Sequence, residues 1–217
     1  PPRDGFLQGV RDLAQQHGAL FILDETITGF RFHLNGGQAL HNVDPDLSTF
    51  GKAIANGFAV SALVGKREFM RLGGLDHHDR DRVFLLSTTH GADSHSLAAM
   101  IENIRVYREH DVVGGFERRG TKLKNSVNDL ARSMGIHEHF VVAGRPGNLI
   151  YFTLDGNKQR SQLFRTLFLQ ETLRRGLIAP NLVLNHSHSD TDIDQAADAI
   201  AASRRPSASR ICACLAP

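Results

Sequence analysis

The chain has 217 residues, of which 41% are hydrophobic and 22% charged, and its formal net charge is +2. This composition is ordinary for a globular protein with a sizeable core. Basic and acidic residues are interspersed, and no apolar run approaches the roughly 18 residues of a membrane span. We therefore expect neither nucleic acid nor a membrane as a partner.

The two cysteines, Cys212 and Cys214, both lie in the last six residues. They cannot form a disulfide framework, and the opening residues show no signal peptide, so a cytoplasmic location is expected. A Cys-x-Cys pair can bind a soft metal, but no further cysteine completes a four-ligand site. We therefore predict no metal.

The first half of the chain alternates between helical and strand patterns. Residues 4–17 have apolar positions at helical spacing, with Asp4 as expected N-cap and Gly18 as expected stop. The apolar run 19–23 suits a strand buried on both faces, and 47–50 and 59–64 are further short strands. This alternation predicts an α/β sheet domain.

The second half is predicted to be α+β. A fourth strand is expected at 83–87, and a hairpin is expected around Arg145-Pro146-Gly147. Helices are expected at about 94–107, 112–134, 161–175 and from Asp190 to about 203. We place a cofactor-binding large domain at 1–110, a small domain at 111–203 and a disordered tail at 204–217.

Polar residues follow three of the predicted strands. Asp24 closes the first, Lys52 follows the second and Thr88 follows the fourth. In an open α/β sheet, ligands usually bind at the carboxyl ends of the strands. Taken singly, each residue has a plainer explanation, namely a turn or cap for Asp24, a solvated amine for Lys52 and turn chemistry for Thr88.

Two segments in register resemble the class III aminotransferases, and within them the glutamate-1-semialdehyde aminomutase branch. They are Leu-Asp-Glu-Thr-Ile-Thr-Gly-Phe-Arg at 23–31 and Pro-Asp-Leu-Ser-Thr-Phe-Gly-Lys-Ala-Ile-Ala-Asn-Gly at 45–57. The interval from Asp24 to Lys52 is the one expected for that branch. The resemblance covers about residues 5 to 200 and implies part of a type I pyridoxal-phosphate transferase domain, mostly parallel, before a smaller α+β domain.

Pyridoxal 5'-phosphate draws in the electron pair that remains when the substrate Cα loses a proton. The resemblance implies that Lys52 is the Schiff-base lysine and the base that moves this proton, with its pKa lowered by desolvation and by the cationic cofactor. It implies that Asp24 pairs with the pyridine nitrogen. We expect this pair to be stronger than a surface salt bridge because the strand end is expected to be buried.

The remaining roles are also implied by the resemblance. Thr88, or Thr89 by a slip of one residue, would bind the phosphate of the neighbouring subunit's cofactor across a homodimer interface. Thr26 occupies a position where relatives often place Val against the ring, and its methyl group can still pack there. Glu25 would be a supporting residue. Asn56 departs from the family pattern, in which Gly is common.

The family's N-terminal half normally supplies the phosphate cradle and the ring-stacking aromatic residue. We therefore expect this chain alone to bind the cofactor poorly, and a stoichiometric borohydride-trapped adduct on Lys52 would contradict that. The predicted activity is transamination or the aminomutase reaction on a small amino or carbonyl compound. The alternative is a non-catalytic dimerisation or interaction remnant of such an enzyme.

Two further motifs have competing explanations. On a strand, His186, His188 and Asp190 would share one face and resemble a metal site. We prefer a strand end that leads into a helix capped by Asp190. One interpretation of Arg145 is a side chain that binds a substrate carboxylate, but a hairpin turn is the preferred interpretation.

Overall fold

A computed structural model describes residues 2–74 and 93–203. The chain divides into two compact units, Pro1–Val113 and Gly114–Pro217. The predicted strand at 83–87, the segment with Thr88 and Thr89, and the predicted tail at 204–217 lie outside the described residues. The domain limits predicted from the sequence stay predictions.

The first unit combines helices with a small mixed sheet. Its helices are α1 (Phe6–Gln16), α2 (Gly36–Leu40), α3 (Arg67–Met70) and α4 (Ser94–Glu109), and its strands are β1 (Ile22–Asp24), β2 (Leu47–Phe50) and β3 (Ala62–Gly65). Strand β1 pairs with β2 in parallel, and β2 pairs with β3 antiparallel. The predicted α/β class is confirmed.

Helix α1 differs from its prediction at the N-terminus. The N-cap is Gly5, with a φ of 77° and no side-chain cap hydrogen bond, so the prediction of Asp4 as N-cap is wrong. Glycine enters this left-handed conformation without the clash that a Cβ atom causes. The C-terminal stop is confirmed, because the helix ends at Gln16 and Gly18 has a φ of 65°.

Strand β1 is not buried on both faces, so that expectation is wrong for the described residues. Phe21, just before the strand, is 7% exposed, whereas Leu20 is 47% and Ile22 54% exposed. Alternate residues of a strand point to opposite faces. Only the face that carries Phe21 is well covered by the described residues.

The core of the first unit lies between the loop after β1, the segment after β2 and helix α4. Its buried members are Phe30, Ala53, Ile54 and Ala55, and partly buried residues such as Phe50, Ile104 and Tyr107 pack against them. The ring of Phe30 makes edge contacts with Phe50 at 6.0 Å and with Tyr107 at 5.6 Å between centroids. This packing joins the two segments that carry the motifs.

Up to residue 203, the second unit packs three helices with an antiparallel hairpin. Its elements are α5 (Val112–Ser133), which begins two residues before the unit, β4 (Phe140–Arg145), β5 (Asn148–Thr153), α6 (Gln162–Leu173) and α7 (Asp190–Ala202). The predicted hairpin is confirmed, with Arg145 opposite Asn148 at the turn. Phe168 packs against Phe140 at 5.0 Å and Tyr151 at 4.8 Å in its core.

Helix α7 has its N-cap at Ser189, so the prediction of Asp190 is wrong by one residue. The Ser189 hydroxyl accepts a hydrogen bond from the Asp192 N–H, and the Asp192 carboxylate accepts one from the Ser189 N–H. This reciprocal pair is a capping box, in which both hydrogen bonds satisfy backbone donors at the helix start.

Among the described residues, no helix is long and apolar enough to cross a membrane.

Candidate active site

The parallel pairing of β1 and β2 places their carboxyl ends at one edge of the sheet. Asp24, the last residue of β1, lies opposite Thr49 of β2. The Glu25 N–H donates to the Thr49 carbonyl at 2.8 Å, which extends the pairing by one residue. Lys52 follows the end of β2 after Gly51 alone. The sheet therefore brings the carboxylate of the first motif and the amine segment of the second to the same edge.

The Asp24 carboxylate is held by hydrogen bonds from both strands. Its Oδ1 atom accepts from the Thr26 N–H and from the Thr49 hydroxyl, each at 2.9 Å. The pKa of Asp24 is lowered to about 2, mainly by hydrogen bonds from the hydroxyl and N–H of Thr26 and next by the bond from the Thr49 hydroxyl. The positive charge of Lys52 lowers this pKa by a smaller amount. Asp24 is therefore ionised at neutral pH, and Lys52 lies within its electrostatic range.

Asp24 and Lys52 are both exposed. The expectation of a buried strand end is therefore wrong, because the described residues leave the edge of β1 and β2 open to solvent. The described residues likewise do not supply the desolvation expected around Lys52. What they do supply is a fixed, charged carboxylate and an accessible amine at one edge.

Lys52 differs from the other four lysines in its surroundings. The ammonium groups of the others are held by Asp46 (Lys66), Asp194 (Lys122), the Gly144 carbonyl (Lys124) and Glu138 (Lys158). Lys52 is the one lysine whose ammonium has no hydrogen-bond or ion-pair partner within residues 2–74 and 93–203. An amine without a competing carboxylate is well suited to covalent chemistry.

The backbone around Lys52 is tightly constrained. Lys52 begins a three-residue 3-10 turn with a φ of 45°, and Asn56 has a φ of 51°. Both values lie in the left-handed region, which non-glycine residues seldom enter, although Asn enters it more readily than most. This explains why Asn is tolerated at position 56, where the family pattern has Gly.

Thr26 packs against the backbone that leads to Lys52. A Cβ atom added at Gly51 would lie 3.2 Å from the Thr26 methyl group, so Gly51 allows the methyl to approach closely. The Thr26 N–H also donates to Asp24, as described above. Thr26 therefore contacts both predicted site segments, and its predicted contact with the cofactor ring stays a prediction.

Glu25, which the sequence indicates only as a supporting residue, is fully buried. Its carboxylate accepts hydrogen bonds from the Thr28 hydroxyl at 2.6 Å and from the N–H groups of Gly37 at 2.6 Å and Gln38 at 2.7 Å. Helix α2, which the sequence did not predict, begins here. Its Gly-Gly start has low helix propensity, and the buried carboxylate provides acceptors for its first N–H groups.

Sequence reasoning missed Thr49, Asn103 and Tyr107. Thr49 holds Asp24, whereas Asn103 and Tyr107 of α4 donate to backbone carbonyls of the two site segments. A period-2 strand pattern was the only signal for Thr49. Asn103 lies 50 positions from its partner Ala53, and no local pattern indicates such a contact.

The local backbone does not support the alternative of a metal site at the histidine motif, which the sequence did not favour. His186 and Ser187 form a turn rather than a strand, and His188 is bonded to Asn185. Within the part of the chain that the structure describes, no group of three or more His, Cys, Asp or Glu residues is arranged to hold a metal ion. Arg145 lies at the hairpin turn, in agreement with the interpretation that was preferred from the sequence.

The described fold is shared with pyridoxal-phosphate transaminases of known structure. The PLP internal aldimine form of the Sphingopyxis sp. MTA144 FumI protein matches with a TM-score of 0.80 and 22% identity, over 93% of this chain and 46% of that one. An omega-transaminase from Sphaerobacter thermophilus matches with a TM-score of 0.79 and 23% identity, over 94% and 48%. These likenesses establish the fold.

Sequence comparison gives the family. The sequence model of the class III aminotransferase family matches residues 1–200, and the chain belongs to this family. It is 34% identical to 3-aminobutyryl-CoA aminotransferase of Cloacimonas acidaminovorans over 92% of this chain and 47% of that protein. It is 33% identical to glutamate-1-semialdehyde 2,1-aminomutase 2 of Bacillus thuringiensis over 89% and 46%. The chain thus spans about half the length of these relatives.

Proposed function

We propose that this chain carries the lysine and aspartate of a pyridoxal-phosphate enzyme that transfers amino groups. Lys52 would hold the cofactor through its aldehyde carbon, and Asp24 would pair with the pyridine nitrogen. The proposal is supported by family membership and by the meeting of both residues at one sheet edge. The class III relatives named above include an aminotransferase and an aminomutase.

The residues at the edge fit the chemistry of the group. When bound, pyridoxal phosphate acts as an electron sink whose power depends on a protonated ring nitrogen. A carboxylate with a pKa of about 2 stays charged at any physiological pH and would keep that nitrogen protonated. Lys52, whose ammonium makes no hydrogen bond or ion pair with the described residues, leaves its amine available.

Lys52 would have a second role once a substrate amine has displaced it. Its amine would then take a proton from the substrate Cα and deliver it to the aldehyde carbon of the cofactor, which is general base and acid catalysis by one group. Thr26 would support the ring, and Thr88 or Thr89 would bind phosphate from a second subunit of a homodimer. These assignments extend the family pattern to this chain.

We propose transamination of a small amino or carbonyl compound as the chemistry. An aminomutase retains its intermediate and returns the amino group to a neighbouring carbon, whereas a transaminase releases a keto product and accepts a second substrate. Both reactions use the same lysine and aspartate. The proposal therefore concerns the shared proton transfer at Lys52.

The single observation that carries the proposal is the shared edge of Asp24 and Lys52. It is tested by incubating the chain with excess pyridoxal phosphate, reducing with borohydride and mapping the label among the five lysines. We expect Lys52 to carry most of the label, even if the total stays below one equivalent. Asp24→Asn is expected to lower labelling at Lys52.

Asp44→Asn provides the matched control. Asp44 is an exposed carboxylate of the same unit, 3.8 Å from the Lys66 ammonium, so its removal changes the net charge equally. It should leave labelling at Lys52 unchanged. An even spread of label over all five lysines would refute the proposal and would favour a non-catalytic remnant.

A further inference from the structure

Asn103 of helix α4 makes several hydrogen bonds to the lysine segment. The Asn103 amide nitrogen lies 2.8 Å from the Ala53 carbonyl oxygen and 3.1 Å from that of Ile54. Its amide oxygen accepts from the Asn56 side chain at 3.3 Å. Asn103 is therefore bonded to three successive parts of the segment that begins at Lys52.

These bonds stabilise a backbone that is unfavourable by itself. A three-residue 3-10 turn cannot satisfy its last carbonyl groups internally, and Asn103 provides donors for two of them. The left-handed φ values at Lys52 and Asn56 cost free energy, because the Cβ atom approaches the following carbonyl oxygen too closely. Such conformations persist where surrounding contacts hold them in place.

The same helix contacts the loop that follows Asp24. Tyr107 lies four residues after Asn103, on the same side of the helix. Its hydroxyl donates to the Phe30 carbonyl at 2.6 Å, and its ring packs edge-on against the Phe30 ring. Phe30 is 7% exposed and has a φ of 62°, so this loop is also held in an unfavourable conformation.

The Tyr107 hydroxyl remains a donor at neutral pH. Burial raises the pKa of Tyr107 above its ordinary value, and the positive charge of Arg31 offsets part of that rise. One face of α4 therefore holds two loops, one that starts at Asp24 and one that starts at Lys52. The hydrogen bonds of Asn103 and Tyr107 described above go to neither Asp24 nor Lys52.

We propose that Asn103 and Tyr107 are positioning residues that fix the Lys52 amine relative to the Asp24 carboxylate by holding the backbone of both segments. The inference rests on the proposed function, because the distance matters only if one cofactor is held between the two groups. Neither residue would touch the cofactor.

The test compares labelling of Lys52 by pyridoxal phosphate and borohydride in the full chain and its variants. Asn103→Asp keeps the size of the side chain but removes the donors, and Tyr107→Phe removes the hydroxyl alone. For Tyr107→Phe we expect labelling at Lys52, relative to Lys122 and Lys158, to fall about fivefold, the change that one ordinary hydrogen bond represents. Asn103→Asp, which loses two such bonds, should lower this ratio further. Ile101→Ala, on an exposed position of α4, should leave the ratio unchanged.

A double-mutant cycle separates positioning from a merely structural role. If Asn103 sets the geometry, Asp24→Asn should lower labelling in the parent chain but have little further effect in the Asn103→Asp background. If Asn103 only stabilises the fold, the melting temperature should fall while Asp24→Asn keeps its full effect, and the inference would be refuted.

The cycle also distinguishes the two proposals. Failure of the parent chain to favour Lys52 over the other lysines would refute the proposed function and the inference together. Preference for Lys52 that survives Asn103→Asp and Tyr107→Phe unchanged would refute the inference alone.

Discussion

Replacement of Glu25 by Gln changes one buried carboxylate into a neutral amide of the same size. Oε2 accepts from the Thr28 hydroxyl and the Gly37 N–H, and Oε1 accepts from the Gln38 N–H. The amide oxygen of Gln can serve the first pair of donors. Its NH₂ group would then face the Gln38 N–H, so two donors would oppose each other.

The expected loss of stability follows from these three bonds. A hydrogen bond to a charged group contributes about 1.5–3 kcal/mol, and a neutral one about 0.5–1.5 kcal/mol. Glu25→Gln removes one charged bond and weakens two by about 1 kcal/mol each, while the smaller desolvation cost of an amide offsets part of this. We expect the free energy of unfolding to fall by about 3 kcal/mol.

The measurement is urea unfolding followed by circular dichroism, with hydrogen exchange of the Gly37 and Gln38 amides as a local readout. Both amides should exchange faster in Glu25→Gln because they lose a charged acceptor. Asp24→Asn is the matched control, since Asp24 is the adjacent carboxylate and is exposed, and it should destabilise the chain less. A loss below about 1 kcal/mol in Glu25→Gln, with unchanged exchange, would contradict the reasoning.

Two further predictions concern the residues that surround Glu25 and Asp24. Gly36 has a φ of 82°, and a Cβ atom there would lie 2.5 Å from Glu25 Oε1. Gly36→Ala should therefore lower the free energy of unfolding by about 2 kcal/mol or more. Gly18→Ala is the control, because Gly18 also has a positive φ but open space around an added Cβ, so this variant should lose only the contribution of backbone strain. Thr49→Val should raise the pKa of Asp24 from about 2 towards 3.8, measured by NMR titration of the side chain. The pKa of Asp24 is lower in the folded chain than its ordinary value of 3.8, so the ionised carboxylate stabilises the fold above about pH 3.8, and this stabilisation is lost as the pH falls towards 2. In Thr49→Val the loss should occur over a narrower pH range, because the two pKa values lie closer together.

Local patterns predicted several elements well. Strand β2 has the predicted bounds, and the β4–β5 hairpin forms around its predicted turn. The sequence likewise predicted α5, α6 and α7, with each end within two residues of its predicted position. These elements depend on side-chain periodicity and turn residues that lie within one short segment.

The chemistry at the edge was predicted by the motifs and not by periodicity. Asp24 and Lys52 each have a plainer explanation as strand-end residues, and only the two segments in register indicated a cofactor site. Their meeting at one edge depends on the parallel pairing of β1 with β2. Thr88 and Thr89 lie outside the described residues, so their role stays a prediction.

The sequence by itself determined the longer helices, the hairpin and the family that the chain resembles, because these are recorded in short runs of residues, whereas the short helices α2 and α3 were not predicted. Tertiary structure alone decided that Glu25 is buried beneath α2, that Thr49 holds Asp24, and that Asn103 holds the lysine segment from 50 positions away. Such contacts join residues that are distant along the chain. Hydrogen bonding and burial between them depend on how whole elements pack, which no local pattern specifies.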